Sequence, residues 1–420
     1  MKTIQTQSWL LLAAMLAGFI LTNHSANAQT WTLTSAPSNN WTSVACSADG
    51  SVIVAASTNE IDVSTNAGAT WQYRNVYDYL GWTSVAASSD GKHLVAALPF
   101  YQAYSPYYPP PSNLVFLSTN TGRSWFASGP PTNLYWYAVA ASSDGGKLLA
   151  AAITWSNYNV YRSGSLFYSP DGGVLWSNCF PNLVSSSWTA ATISSNGNVM
   201  AAVSSIGTNE YVFVSTNAAV SWFSNCFSTS LTQLQSSLAC SADGSKLVLA
   251  ASGNSIYIST NFGVNWSQTA TPRPLWSHVV CSADGSRIIA VSNDGLVCGS
   301  VNGGATWNSL TNPYQYWVGI AASADASKLV MVSANPVSWS WHKYGYVFTY
   351  SAPATQVLNI ALSGGNASLT WPWPSSDVVL QRSPSLASPN WTTLTNVPAV
   401  VNQLILPATN SSNFYRLATP

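Results

Sequence analysis

One ten-residue phrase recurs along this chain and restricts its fold more than any other feature. It reads Trp-Thr-Ser-Val-Ala-Ala-Ser-Ser-Asp-Gly at Trp82 to Gly91, and its relatives begin at Trp41, Trp136, Trp188, Leu234, Trp276 and Trp317. The turn dipeptide falls at Asp49-Gly50, Asp90-Gly91, Asp144-Gly145, Asn196-Gly197, Asp243-Gly244, Asp284-Gly285 and Asp325-Ala326. A spacing of roughly 40 to 55 residues is the length of a four-stranded propeller blade, a unit that can bury its faces only against neighbouring copies. In the second repeat, short alternating segments predict strands at Thr83–Ala87, His93–Leu98, Leu114–Ser118 and Ser124–Ala127.

A second phrase follows each of the first six. It ends at Trp71 (STNAGATW), Trp125 (STNTGRSW), Trp176 (SPDGGVLW), Trp222 (STNAAVSW), Trp266 (STNFGVNW) and Trp307 (SVNGGATW). These stretches resemble the Asp box, Ser-x-Asp-x-Gly-x-x-Trp, of BNR-type propellers: the sialidase-like, sortilin-like and photosystem II assembly factor propellers. The resemblance covers nearly all of residues 29–350. It implies a structural hairpin turn in which an Asp or Asn side chain accepts backbone N–H groups, Gly tolerates positive φ, and Trp packs between blades. Only Asp171 keeps the acid; the other five boxes carry Asn, which accepts the same bonds. A calcium role for the boxes is correspondingly poor.

The seventh repeat has three strands and no box, since Tyr350 runs into Ser351-Ala352-Pro353. Thr30 to Leu33, followed by Pro37, matches the segments after the box tryptophans. The expectation is therefore a seven-bladed, all-β propeller over residues 29–352 whose outermost strand in blade seven comes from the N-terminus, removing an exposed edge. Residues 353–420 change texture. Their segments LTW, VLQRS, NWTTL and FYRL resemble a short β-sandwich module found at the C-terminus of many exported bacterial proteins. Residues 1–28 read as a signal peptide, with Lys2, an apolar run from Trp9 to Leu21, and a small-x-small site at Ala26-Asn27-Ala28. No later apolar run is long enough to span a bilayer, so a secreted or extracytoplasmic product without a transmembrane segment is expected.

Charged residues are only 6% of the chain and the formal net charge is zero. That argues against nucleic acid, which needs a basic face, and against charge-driven membrane binding. Twenty Trp and twenty Tyr argue against disorder. Cys46, Cys240 and Cys281 share one repeat position with Ala87, Ala141 and Ala322, so they read as buried small hydrophobes. Cys179 and Cys226 share the phrase Ser-Asn-Cys-Phe, and a bridge between them is the main alternative to free thiols.

Propellers place function on the end opposite the Asp-Gly turns. The connections predicted there are aromatic: Phe100, Tyr101, Tyr104, Tyr107 and Tyr108, then Trp155, Tyr158 and Tyr161, then Trp339, Trp341, Tyr344 and Tyr346, with Tyr73, Tyr77 and Tyr79 nearby. Such a patch suits stacking on sugar rings or burial against protein; the same loops could equally pack on themselves and plug the channel. Sialidase chemistry needs three converging arginines. Arg74, Arg162 and Arg273 fall in the right connections, but Gln29 to Pro37 holds no Arg motif. Most acids are consumed by the Asp-Gly turns, leaving Glu60, Asp62, Asp78, Glu210 and Asp294 in the propeller; Glu60 and Asp62 share a strand face, where edge acids are usually solvated. His93, His278 and His342 are isolated, and no motif supports a metal or a cofactor. The reading is an exported, non-catalytic propeller with a glycan or protein partner. A diverged glycoside hydrolase and a cell-surface scaffold are the alternatives.

Overall fold

The structure, a computed structural model, describes residues 31–351 except 75–80, 99–114, 131–133, 154–163, 184–185, 207–208, 228–235, 252–254, 273–275, 293, 311 and 335–344, together with the strands between 359 and 418. Trp31–Ser351 form one compact unit, and the strands beyond Ala352 belong to a second.

The first unit is a seven-bladed β-propeller, each blade a four-stranded antiparallel meander. Blade one runs Trp41–Cys46, Ile53–Ser57, Ile61–Ser64 and Gln72–Arg74. Blade two has Ser84–Ala87, Leu94–Ala97, Val115–Ser118 and Phe126–Ser128, within two residues of the predicted bounds. Blade seven contributes Tyr316–Ala322, Lys328–Ala334 and Val347–Ser351, and its fourth strand is Trp31–Leu33 from the other end of the chain. The register is Trp31↔Tyr350, Thr32↔Thr349 and Leu33↔Phe348. Trp31 is fixed there by its ring, 5.1 Å from that of Tyr350 and 6.3 Å from that of Trp317. The two ends of this unit therefore meet in one sheet and leave no gap in the ring.

Each residue of the first phrase has a place in this build. The phrase tryptophans 41, 82, 136, 188, 276 and 317 are at most 2% exposed, wedged between blades. Burying an aromatic of this size contributes about 2–3 kcal/mol apiece. A register shift follows the Trp in blades one, three, four and seven, a β-bulge that takes the next residue out of the ladder. Hydroxyls beside the tryptophan join neighbouring blades. Thr42 Oγ1 donates to the carbonyl of Trp82 at 2.7 Å, and Thr83 Oγ1 to that of Trp136 at 2.7 Å. Ser43 Oγ accepts from Val85 N–H at 3.1 Å, and Ser84 Oγ from Val139 N–H at 3.1 Å.

The end of the phrase closes a second set of contacts. Ser47 Oγ accepts from Val52 N–H (2.9 Å) and donates to Asp49 Oδ1 (2.6 Å), and Asp49 accepts from Ser51 N–H (2.9 Å). The residue between them joins a ring of backbone hydrogen bonds: Ala48 to Ser89, Ser89 to Ser143, Ser143 to Ser195, Ser195 to Ala242, Ala242 to Ala283, Ala283 to Ala324, and Ala324 back to Ala48. These seven bonds, 2.6 to 3.0 Å long, encircle the turn end of the propeller.

The second-phrase turns sit at the same end. In blade one Gly68 N–H donates to Ser64 Oγ (2.9 Å), Thr70 N–H to Asn66 Oδ1 (2.8 Å) and Trp71 Nε1 to Gly68 O (3.1 Å). Asp171 makes the equivalent contacts in blade three, so Asn and Asp serve one geometry. Gly173 lies at φ +92°, and a Cβ there would come within 2.3 Å of Leu117 Cδ1. Blade four departs from the pattern. Ala219 holds φ +65° in place of glycine, and the Trp222 indole N–H has no partner among the described residues.

The second unit contains two three-stranded antiparallel sheets. One has Asn359–Ser363, Asn366–Thr370 and Gln403–Pro407; the other has Thr392–Thr393, Val379–Ser383 and Phe414–Ala418.

Candidate functional site: the axial channel and the loop end

Antiparallel meanders put first-to-second and third-to-fourth turns at one end of a propeller, and second-to-third loops with the blade connections at the other. The predicted aromatic patch belongs to that second, loop end. Tyr101, Tyr104, Tyr107, Tyr108, Trp155, Tyr158, Trp339 and Trp341 lie outside the described residues, as do Phe100, Tyr77, Tyr79, Tyr161 and Tyr344. Two of its expected members are placed: Tyr73, on the outer strand of blade one, is 49% exposed, and Tyr346 is 40% exposed. The second-phrase tryptophans Trp71, Trp125, Trp176, Trp222, Trp266 and Trp307 pack against the interblade cores.

What the structure does place at the loop end is the mouth of the axial channel. Its loop-side half is a cavity of about 520 Å³ walled by the first strands of all seven blades. The wall presents Thr42 and Ser43, Thr83 and Ser84, Ser236 and Ser237, with Tyr135, Tyr137 and Tyr316. His278 stands in blade six at the ring position that Ser43 holds in blade one. Burial pushes its imidazole down to about 4, so it is uncharged at neutral pH. Among the described residues no Lys, Arg, Asp or Glu lines this half. The turn-side half, about 340 Å³, is lined by small residues including Ala87, Ala141 and Ala322.

Cys46, Cys240 and Cys281 also line that lower half: they are half-buried, packed against the interblade cores as small hydrophobes and reaching the channel wall. Alanine is interchangeable with them because the channel is narrow there. Burial raises the thiols of Cys46 to about 12 and Cys240 to about 11, and raises Cys281 as well, so they stay protonated. The six cysteines are free. Cys179 and Cys226 do not share an environment. Phe223 inserts one residue after Trp222, shifting the phrase, so Cys179 packs in a core while Cys226 is exposed on the blade-four edge.

The acids gave a correction. Asp62 was expected to be solvated; it is 2% exposed. It faces Ala55 across the ladder, the position held by Phe116 in blade two, Phe167 in blade three and Phe213 in blade four. Those rings pack against the phrase tryptophans at 5.0 to 5.6 Å. Burial pushes Asp62 up to about 7, with the charge and hydrogen bond of Glu60 adding to the rise. Glu60 in turn accepts from Asn39 Nδ2, in the segment following the closing strand. Glu210 is likewise buried in blade four; desolvation raises its carboxyl while a hydrogen bond from Ser236 opposes the rise. Asp294 is held in a turn by Ser292, and Asp78 lies outside the described residues.

Of the three arginines, Arg74 ends the outer strand of blade one and donates to Gln72; Arg162 and Arg273 lie outside the described residues. Among the described residues no cluster of three or more His, Cys, Asp or Glu side chains is placed to hold a metal, and no helix is long and apolar enough to cross a membrane.

Comparison with known proteins agrees with this architecture. Residues 174–316 match a family described as the DUF6242 beta propeller domain. YCF48 from Cyanidioschyzon merolae is similar at 14% identity, covering 77% of this chain and 98% of that one with a TM-score of 0.51. A structure of YCF48 bound to D1 peptide gives 16%, 79%, 98% and 0.53 for the same measures. The Cps50 (Swd1) propeller domain of Myceliophteria thermophila gives 12%, 76%, 99% and 0.53. No curated protein matches the chain. At these identities the likeness is one of fold: a seven-bladed β-propeller built like those of YCF48 and Swd1.

Proposed function

We propose that this chain is an exported, non-catalytic interaction propeller that receives an uncharged partner, a glycan or a protein segment, at its loop end. In this reading residues 1–28 direct export, the second-phrase turns are Asp boxes, and residues 353–420 form a β-sandwich module. The observation that carries it is the character of the channel mouth, where hydroxyls and phenol rings converge and, among the described residues, no charged side chain lines the wall. Phosphate or carboxylate ligands would find no countercharge there among the described residues. The D1 peptide bound to YCF48 supports reading a propeller of this build as a platform for a protein segment.

The test is a binding screen of the exported protein against a glycan array, soluble polysaccharides and extracts of the native cell surface, read by tryptophan fluorescence and pull-down. A variant lacking residues 101–111 runs in parallel. Binding by the folded parent that is lost in the folded variant supports recognition at the loop end. Binding unaffected by the deletion moves the partner elsewhere, and cleavage of any bound glycan overturns the non-catalytic reading.

A further inference from the structure

We propose that the loop-side half of the axial channel is itself a binding site, shaped for a neutral polyhydroxylated ligand of monosaccharide size. The proposal rests on the loop end being the recognition end, and it names the chemistry of the pocket at its centre.

The first ground is the state of the hydroxyl groups. Ser43, Ser84 and Ser237 occupy one ring position in blades one, two and five, and each is half-buried in the channel wall. Each oxygen accepts the N–H of the following blade: Val85 at 3.1 Å, Val139 at 3.1 Å and Val279 at 3.2 Å. That bond fixes the side chain and leaves its own O–H as a donor without a protein acceptor among the described residues. The neighbouring threonines differ, since Thr42 and Thr83 have spent their protons on the Trp82 and Trp136 carbonyls. Three oriented hydroxyl donors thus stand around one ring, held by bonds that also hold the blades together. His278 adds an uncharged imidazole at the same level.

The second ground is size and polarity. A volume of about 520 Å³ lies within the range of small-molecule sites, roughly 300–1,000 Å³. The rings of Tyr135, Tyr137 and Tyr316 give the wall apolar surface between its polar points. The narrower turn-side half, lined by small side chains with alanines and protonated thiols among them, forms the floor. An ionic ligand would be desolvated without a countercharge, and an apolar one would strand the serine donors; a sugar satisfies both constraints.

Binding is measured on the full exported chain by saturation-transfer NMR and calorimetry with D-glucose, D-galactose and N-acetyl-D-glucosamine, and with sodium D-gluconate as the charged counterpart. Two channel-filling variants, Ala191→Phe on the blade-four wall and Val318→Phe on the blade-seven wall, leave the three serines in place. Circular dichroism and thermal melting identify which variant is folded. The expected result is saturable binding of at least one neutral sugar, at least tenfold weaker in a folded channel-filled variant, with no binding of gluconate. A free sugar and the end of a glycan share this chemistry. An oligosaccharide of the sugar that binds separates them, binding more tightly than the monosaccharide if glycans are the source. Absence of binding by all three sugars overturns the proposal, as does binding that channel filling leaves unchanged or gluconate binding of equal strength. A macromolecular partner lost on deleting residues 101–111 but retained in the filled variants overturns the channel site while leaving the interaction propeller standing.

Discussion

The two ends of this propeller are built on opposite principles. At the turn end, seven copies of one phrase give seven copies of one geometry, joined by a closed ring of backbone hydrogen bonds. Side chains add to it: Lys147, Lys246 and Lys328 each donate to a carbonyl in the next blade's turn at 2.7 to 2.8 Å. At the loop end the repeats diverge. Loops differ in length, an acid replaces an aromatic in blade one, and hydroxyls face open volume. Regularity satisfies polar groups internally and leaves nothing to offer a ligand, whereas divergence leaves groups unspent.

The carboxyls show the same contrast. Asp49, Asp144 and Asp243 at the turn end sit below the usual carboxylate range, held there first by the serine at the head of each turn and then by a backbone N–H. Asp62 and Glu210 at the loop end are raised by burial. Acid therefore weakens the turns, while alkali weakens the seam beside the closing strand.

The largest effect tests the closure both ends depend on. Deleting residues 31–34 removes the fourth strand of blade seven and bares Val347–Ser351 as an edge. A loss of at least about 3 kcal/mol, the cost of one buried aromatic, is expected in denaturant unfolding, with self-association on size exclusion.

The pH contrast comes next. The carboxyl of Asp62 is raised in the folded state, so its stabilising share is complete below the unfolded value of 3.8 and is lost as pH rises through about 7. Unfolding free energy should fall by a few kcal/mol between pH 4 and 8 and then level. Asp62→Phe, which restores the ring that blades two, three and four carry, should flatten that slope. A slope that persists in the variant would show that another group carries it.

Within the turn end, Ser142→Ala strips the hydroxyl that accepts Lys147 N–H at 2.9 Å and contacts Asp144. A loss of about 1–3 kcal/mol is expected from the stranded N–H, seen as a lower denaturant midpoint at unchanged slope. The irregular turn runs the other way. Ala219→Gly relieves a positive φ and should gain about 1 kcal/mol. The smallest effect belongs to the loop end, where removing residues 101–111 should shift the melting temperature by no more than about 2 °C, because closure entropy varies slowly with loop length. A large shift there would mean that the loop packs as core.

Much of the fold was legible because the repeat is self-consistent. Blade count, turn positions and the N-terminal closing strand follow from phrase spacing and from one missing second phrase, since a four-stranded unit with three strands in sequence must borrow its fourth. The channel site was less legible. Ser43, Ser84 and Ser237 were visible only as letters of the phrase, and nothing local separates a serine that bonds the next blade from one on a surface strand. A hydroxyl facing the ring axis in three blades, with His278 at the equivalent place, is the signal that alignment of the repeats against one another could have found.

Sequence alone determined the all-β class, the seven blades and the turn chemistry, because these depend on near-neighbour patterns that repeat. Tertiary structure decided the rest. Closing the ring buried Asp62 against a seam it could not see in its own strand. It gave Cys46, Cys240 and Cys281 a place in the channel lining as well as against the core, and it gathered side chains from seven blades around one axis. Those environments depend on curvature and on contacts between residues tens to hundreds of positions apart, which no local pattern encodes.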